Sequence, residues 1–132
     1  MYDKELAKEI LQQIYHATEL ILKRFDPIET VNDFTNTSEG MEKLDSLCMQ
    51  LIVIGESLKN FDKVTDNSIL CQYPQIEWKK VKGLRDIITH HYIDINAEAI
   101  YEICKNKIPL LKETIKAILK SLKESCFFLT MH

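Results

Sequence analysis

Arg85, Asp86, His90 and Tyr92 place a permanent cation, a carboxylate, an imidazole and a phenol within one short stretch, RDIITHHY, residues 85–92. Phosphodiester transfer needs a group that takes or gives a proton near neutral pH, and histidine does this. It also needs a cation for the charge that builds on the phosphoryl oxygens, which arginine supplies through a bidentate fork. With RNA the 2′-OH can itself be the nucleophile, so this chemistry asks for no metal. The same residues have a plainer use as a surface ion pair beside solvated imidazoles. Asp86 and His90 stand at i, i+4, a pairing worth only about 0.2–0.5 kcal/mol.

Spacing constrains the reactive reading. Arg85 and His90 are five residues apart, so on an ideal helix they point about 140° away from each other, whereas Arg85 and Tyr92 share a face to within about 20°. For Arg85 and His90 to meet on one phosphate, the helix must loosen near Thr89–His90, which the breaker-like YIDIN downstream would permit. Alternatively, two copies of the stretch from different subunits face each other.

Neighbouring residues supply secondary candidates. Lys79 and Lys82 lie just upstream and could contact phosphates, as could His91, which is otherwise a surface residue. Glu56 sits on an otherwise apolar helix, and a half-buried carboxylate usually needs a partner, for which Arg85 is the candidate. Trp78 and Tyr73 could stack on bases, although core packing accounts for both. A metal site assembled from His16, His90, His91 and Asp94 is disfavoured. Adjacent histidines do not share a helix face, and the chain has no His-x3-His or Cys-x-x-Cys pair.

The elements that must position these groups are helical. The chain has 132 residues, enough for one domain, with 45% apolar and 28% charged residues and only three glycines and three prolines. Leu6, Ile10, Ile14, Ala17, Ile21 and Phe25 recur at helical spacing and predict a first helix over about 3–25, stopped by Asp26-Pro27. A polar loop, ETVNDFTNTS, precedes a second helix from about Ser38. Its apolar face runs from Met41 through Leu44, Leu47, Leu51 and Ile54 to Phe61. Gly55 interrupts that helix, where it costs about 1 kcal/mol relative to alanine, so a close helix–helix approach is expected there. A short helical turn is expected around 66–73, ended by Pro74, and a third helix from Glu77-Trp78 to the histidines. Asn96 is a good N-cap for the last helix, with Glu98 in its first turn. That helix is expected to reach about Glu124 and to bend at Pro109. The fold class is all-α, an antiparallel four-helix bundle with a short extra turn: one domain over 1–124 and a C-terminal tail, 125–132, packed on the bundle.

Net charge is −3, which speaks against general nucleic-acid affinity, but it is unevenly spread. Residues 1–66 carry 7 Lys/Arg against 13 Asp/Glu, or −6, and residues 67–132 carry 10 against 7, or +3. A positive patch in the second half can still attract phosphates. The N-terminus lacks the apolar core of a signal peptide, and LIVIG at 51–55 is far too short to span a bilayer. Cys48, Cys71, Cys104 and Cys126 are scattered and read as reduced, mostly buried thiols. A cytoplasmic location is expected.

Arg85-Asp86-x-x-x-His90-x-Tyr92 resembles the R-polar-x-x-x-H-x-Y motif of the HEPN superfamily, in particular its HepT-like branch. Ile54-Gly55-Glu56, Trp78 seven residues before Arg85, Gly83, and Ile108-Pro109-Leu110-Leu111 are similar to landmarks of that branch, so the resemblance covers roughly residues 5–122. It implies a HEPN-like helical bundle that is a homodimeric, metal-independent ribonuclease toxin, with no cofactor and two motifs lining one cleft. It further implies a minimal nucleotidyltransferase antitoxin as partner. By the same resemblance His90 is the general acid/base, Arg85 the phosphate-stabilising cation, Asp86 the polar residue that orients them, and Tyr92 the tyrosine that the antitoxin blocks with AMP. Two positions depart from the pattern: Asp86 stands where asparagine is frequent, and Tyr101 where tryptophan is common. The alternative is a non-catalytic helical adaptor that positions substrate for a nucleotidyltransferase.

Overall fold

The computed structural model describes residues 2–90 and 96–131, with side chains as far as Lys123. Among the described residues every regular element is helical. Helix α1 spans Lys4–Phe25, and Asp3 caps it by accepting the Leu6 N–H at 3.1 Å. Ala7, Ile10, Leu11, Ile14, Ala17 and Ile21 are buried along it, while Leu6 is 40% exposed. Ile10, Ile14, Ala17 and Ile21 are thus buried as expected, and Ala7 and Leu11 join the stripe where Leu6 does not. The helix stops at Asp26, as Pro27 requires.

A one-turn helix, α2 (Asn32–Thr35), lies within the segment expected to be loop. It buries Phe34 completely, and the Asp33 carboxylate accepts the N–H groups of Glu29 and Thr30 at 2.8 and 3.1 Å. Four residues are too few to show a helical period, so the pattern could not reveal it. Helix α3 (Ser38–Thr65) follows, capped by Thr37, which accepts the Gly40 N–H at 2.9 Å. Gly40 is buried here because a Cβ would stand 2.0 Å from the Asp33 carbonyl oxygen. Asp66 and Asn67 end α3 with positive φ, 54° and 58°.

A 3-10 turn, Leu70–Gln72, leads to two short helices, α4 (Trp78–Lys82) and α5 (Leu84–His90), where one continuous helix was expected. Gly83 separates them. The last expected helix is also divided. Helix α6 (Ala97–Glu102) starts at Asn96, whose side chain accepts from Glu98 and Ala99 as its sequence position predicts. It widens into a π-helical turn, Ile103–Lys107, and continues as α7 (Ile108–Met131). Pro109 cannot donate a backbone hydrogen bond, and the wider turn just before it absorbs that defect. The helix runs on through the backbone of the segment expected to be a separate tail. Helices α1, α3 and α7 pack around one apolar core that includes Leu47, Leu51, Leu58, Phe61, Ile115 and Ile118, and α4–α5 lie along α3. No helix of the described residues is long and apolar enough to cross a membrane.

Candidate functional site

The candidate residues sit on the pair α4–α5, and Gly55 sets how closely that pair approaches α3. A Cβ at residue 55 would lie 3.0 Å from the Val81 carbonyl oxygen and 3.3 Å from that of Lys82. This is the close backbone approach expected of a glycine inside a helix. One residue on, Glu56 reaches across to α5: its Oε1 lies 3.0 Å from Nε of Arg85. The two side chains are 45% and 52% exposed, so the pair is a surface contact that a competing anion can displace.

Helix α5 buries Leu84 and Ile88 and exposes Arg85, Asp86, Thr89 and His90. It remains α-helical through His90, so the loosening that would let Arg85 and His90 converge within one chain does not occur. Arg85 and His90 diverge by about 140° around the helix. Arg85 is turned towards α3. The His90 ring folds back on its own helix, with Nδ1 2.7 Å from the main-chain oxygen of Asp86. A carbonyl oxygen only accepts, so Nδ1 carries the hydrogen and Nε2 of the neutral ring keeps its lone pair. This contact uses the Asp86 carbonyl, and the Asp86 side chain is exposed. Thr89 also bonds back into the helix, its hydroxyl donating to the Arg85 carbonyl at 2.8 Å. His91 and Tyr92 lie outside the described residues.

The lysines differ in availability. Lys82 is partly buried and its ammonium is bonded to Asp62, itself buried, so Lys82 is not a free phosphate contact. The sequence reading missed Asp62, although a carboxylate beside Phe61 on the apolar face of α3 was a signal that a cation would be needed. Burial lowers the Lys82 pKa from its ordinary value. Lys80 pairs with Glu77 at 2.8 Å, and the hydrogen bond between them raises the lysine and lowers the carboxylate. Lys79 is exposed and forms no ion pair with any described residue. Trp78 is half-buried against the core and donates its indole N–H to the Tyr73 carbonyl at 2.9 Å, which settles it as a packing residue. Tyr101, in the position where tryptophan is common, stacks edge-on against Phe25 and donates its hydroxyl to the Glu29 carbonyl at 2.8 Å. Among the described residues no group of three or more His, Cys, Asp or Glu side chains is placed to hold a metal ion.

Comparison with known proteins bears on what this helix end does. The profile of a family described as ribonuclease HepT-like matches residues 7–118. A Methanocaldococcus jannaschii protein named "Putative RNase MJ0127" is 35% identical over 100 residues, covering 74% of this chain and 79% of the relative. A second protein of that organism, "Putative RNase MJ1216", is 28% identical over 108 residues, covering 75% of this chain and 86% of the relative. "Probable ribonuclease HepT" of Thermococcus cleftensis is 26% identical over 117 residues, covering 89% of this chain and 99% of the relative. No solved structure matches the chain.

Proposed function

Because the chain belongs to the HepT-like ribonuclease family, we propose that it is a metal-independent endoribonuclease, the toxin of a toxin–antitoxin pair. The observation that carries the reading is the bond between His90 Nδ1 and the Asp86 carbonyl, which leaves Nε2 as a proton acceptor on an exposed helix end. In this mechanism Nε2 takes the proton from a ribose 2′-OH as that oxygen attacks the adjacent phosphorus. A P–O2′ bond forms and the P–O5′ bond breaks, leaving a 2′,3′-cyclic phosphate and a 5′-oxygen that takes its proton from the histidine imidazolium and departs as a hydroxyl. Arg85 leaves Glu56 to neutralise the phosphoryl oxygens, where a guanidinium fork is worth more than on an exposed carboxylate.

Since Arg85 and His90 diverge around one helix, the complete centre is formed by two copies of the chain, with Arg85 of one beside His90 of the other. The partner is a minimal nucleotidyltransferase, and Tyr92 receives AMP from it. The bulk and negative charge of that adduct would keep RNA from the cleft. The Glu56–Arg85 pair also favours a second reading, because it spends the cation that catalysis needs. In that reading the chain is a non-catalytic helical adaptor that positions substrate for the nucleotidyltransferase.

Incubation of purified protein with tRNA and short single-stranded RNA in EDTA separates the two, wild type beside His90→Ala. The ribonuclease reading expects cleavage that falls by about 10²-fold or more in the variant, with helicity unchanged. Equal cleavage by both proteins would remove His90 from the mechanism, and no cleavage by either would leave the adaptor.

A further inference from the structure

An apolar groove of about 440 Å³ runs between α4–α5 and the π-turn with the start of α7. Leu84 and Ile87 form one wall, and Ile103, Leu110 and Leu111 the other. Ile87 and Leu110 are 58% and 46% exposed, which is unusual for side chains of this size beside such a depression. The volume lies within the roughly 300–1,000 Å³ typical of small-ligand sites. Neither the mechanism above nor the core packing uses it.

Three features define what fits. The groove lies beside His90 on α5: Ile87 and His90 are separated by about 60° around the helix and about 4.5 Å along it. Its rim carries a lysine on each side, Lys80 on α4 and Lys107 in the π-turn. Glu77, already paired with Lys80, is the acid at the rim. Finally, Asn106 stands on the rim with its amide N–H₂ donating to Glu102 at 2.7 Å, so its carbonyl oxygen is left to accept. A second copy of the chain would set these lysines against their own counterparts. A polyanion with detachable apolar faces suits the groove better.

We infer that this groove is a base subsite, holding an unstacked nucleobase of single-stranded RNA next to the phosphate presented to His90. The base lies between the Ile87 and Leu110 walls, the flanking phosphates meet Lys80 and Lys107, and the Asn106 carbonyl accepts from a base amino group. The inference rests on the ribonuclease reading and adds to it how the substrate is held. Fixing the base on one side of the scissile phosphate is what brings a flexible strand into line for 2′-OH attack.

The test uses the full-length protein and short fluorescent oligonucleotides methylated at every 2′-oxygen, which bind without being cut. One has all its bases and the other is abasic throughout. Wild type is expected to bind the first about tenfold or more tightly at about 50 mM salt. The Ile87→Ala/Leu110→Ala double variant, altered only at exposed positions, is expected to lose that preference while keeping its affinity for the abasic strand. Equal binding of both strands by wild type, no binding of either, or a preference that survives the double substitution would each overturn the subsite. A variant that loses the preference because it dissociates from dimer to monomer, read by light scattering, would assign the groove to a copy–copy contact instead. The readout is independent of cleavage, so loss of the base preference and failure of His90→Ala to stop cleavage would be told apart.

Discussion

The imidazole of His90 is held by a carbonyl that any helix offers four residues back, and within this chain the ring makes that contact without the Asp86 side chain. What the carboxylate then contributes at the helix end is charge. It is an exposed negative charge on the same short helix as Arg85, whose guanidinium already faces Glu56, so it adds repulsion where a phosphate is to approach. Asp86→Asn removes that charge without touching the carbonyl. The expected outcome is a KM for RNA lowered about 3- to 10-fold, a gain that shrinks as salt is raised because the repulsion between Asp86 and the phosphate is screened. A KM series at two ionic strengths checks it. A large fall in kcat instead would restore the carboxylate to the orienting role that the motif resemblance gave it. This part of the site was only half visible in the sequence: spacing showed that Arg85 and His90 cannot share a face, and the resemblance named their roles. Which atom of residue 86 holds the ring is a matter of rotamer and could not be read from residue types.

At the level of helices, the room for a Cβ at the three glycines grades in a definite order, and at Gly40 and Gly55 it marks how tightly two elements meet. A Cβ at Gly40 would be 2.0 Å from the Asp33 carbonyl oxygen, one at Gly55 3.0 Å from that of Val81, and one at Gly83 3.4 Å from that of Lys79. Alanine at 40 or 55 gains about 1 kcal/mol of helix propensity but must displace backbone to fit, whereas Gly83 lies between α4 and α5 and its Cβ would make ordinary contact with α4 itself. Gly40→Ala is therefore expected to destabilise by about 1–3 kcal/mol, Gly55→Ala to be nearly neutral or mildly destabilising, and Gly83→Ala to change stability least. Urea midpoints at unchanged slope measure the order. Gly55→Ala carries a second expectation, a loss of RNA cleavage exceeding its loss of stability, because it displaces the strand of backbone that carries Arg85. The close approach at Gly55 was readable from its place inside an amphipathic helix. The break at Gly83 was not, since Trp78, Val81, Leu84 and Ile88 keep one continuous apolar spacing across it. Nor was α2, whose single turn around Phe34 leaves no period to detect. The Pro109 defect, expected as a bend, is accompanied by the π-turn just before it, which forms a wall of the groove beside His90.

Across the whole molecule, the periodicity of three long helices and the cap at Asn96 were enough to predict a helical bundle, because burying those stripes leaves few other arrangements. Cysteine placement was less accessible, since a scattered thiol gives no pattern. Cys48 on α3 and Cys104 in the π-turn are buried, while Cys71 is exposed. Burial, reinforced by Asp45, pushes the Cys48 thiol from 9.0 up to about 11. Burial, reinforced by Cys48, pushes Cys104 up to about 12. In the unfolded chain both thiols ionise near their ordinary value, so above it the unfolded state has released protons that the folded state still holds. The stability that neutral thiols permit is therefore intact below about pH 9, declines as the pH rises from there, and is fully lost once the folded thiols themselves ionise near 11 and 12. Lysines and tyrosines titrate in the same window, so the contrast that isolates the thiols is with Cys48→Ala/Cys104→Ala. That variant is expected to start less stable, from two small core cavities, and to lose less between about pH 8 and pH 10.5 than wild type does. Alkylation with mass mapping at about pH 8 gives the kinetic counterpart, because the thiolate is the reactive species. Cys71 should be modified quickly and Cys48 and Cys104 only at the rate at which the bundle opens. Rapid labelling of Cys104 in the folded protein would mean that the π-turn opens on its own, and the wall of the groove beside His90 with it.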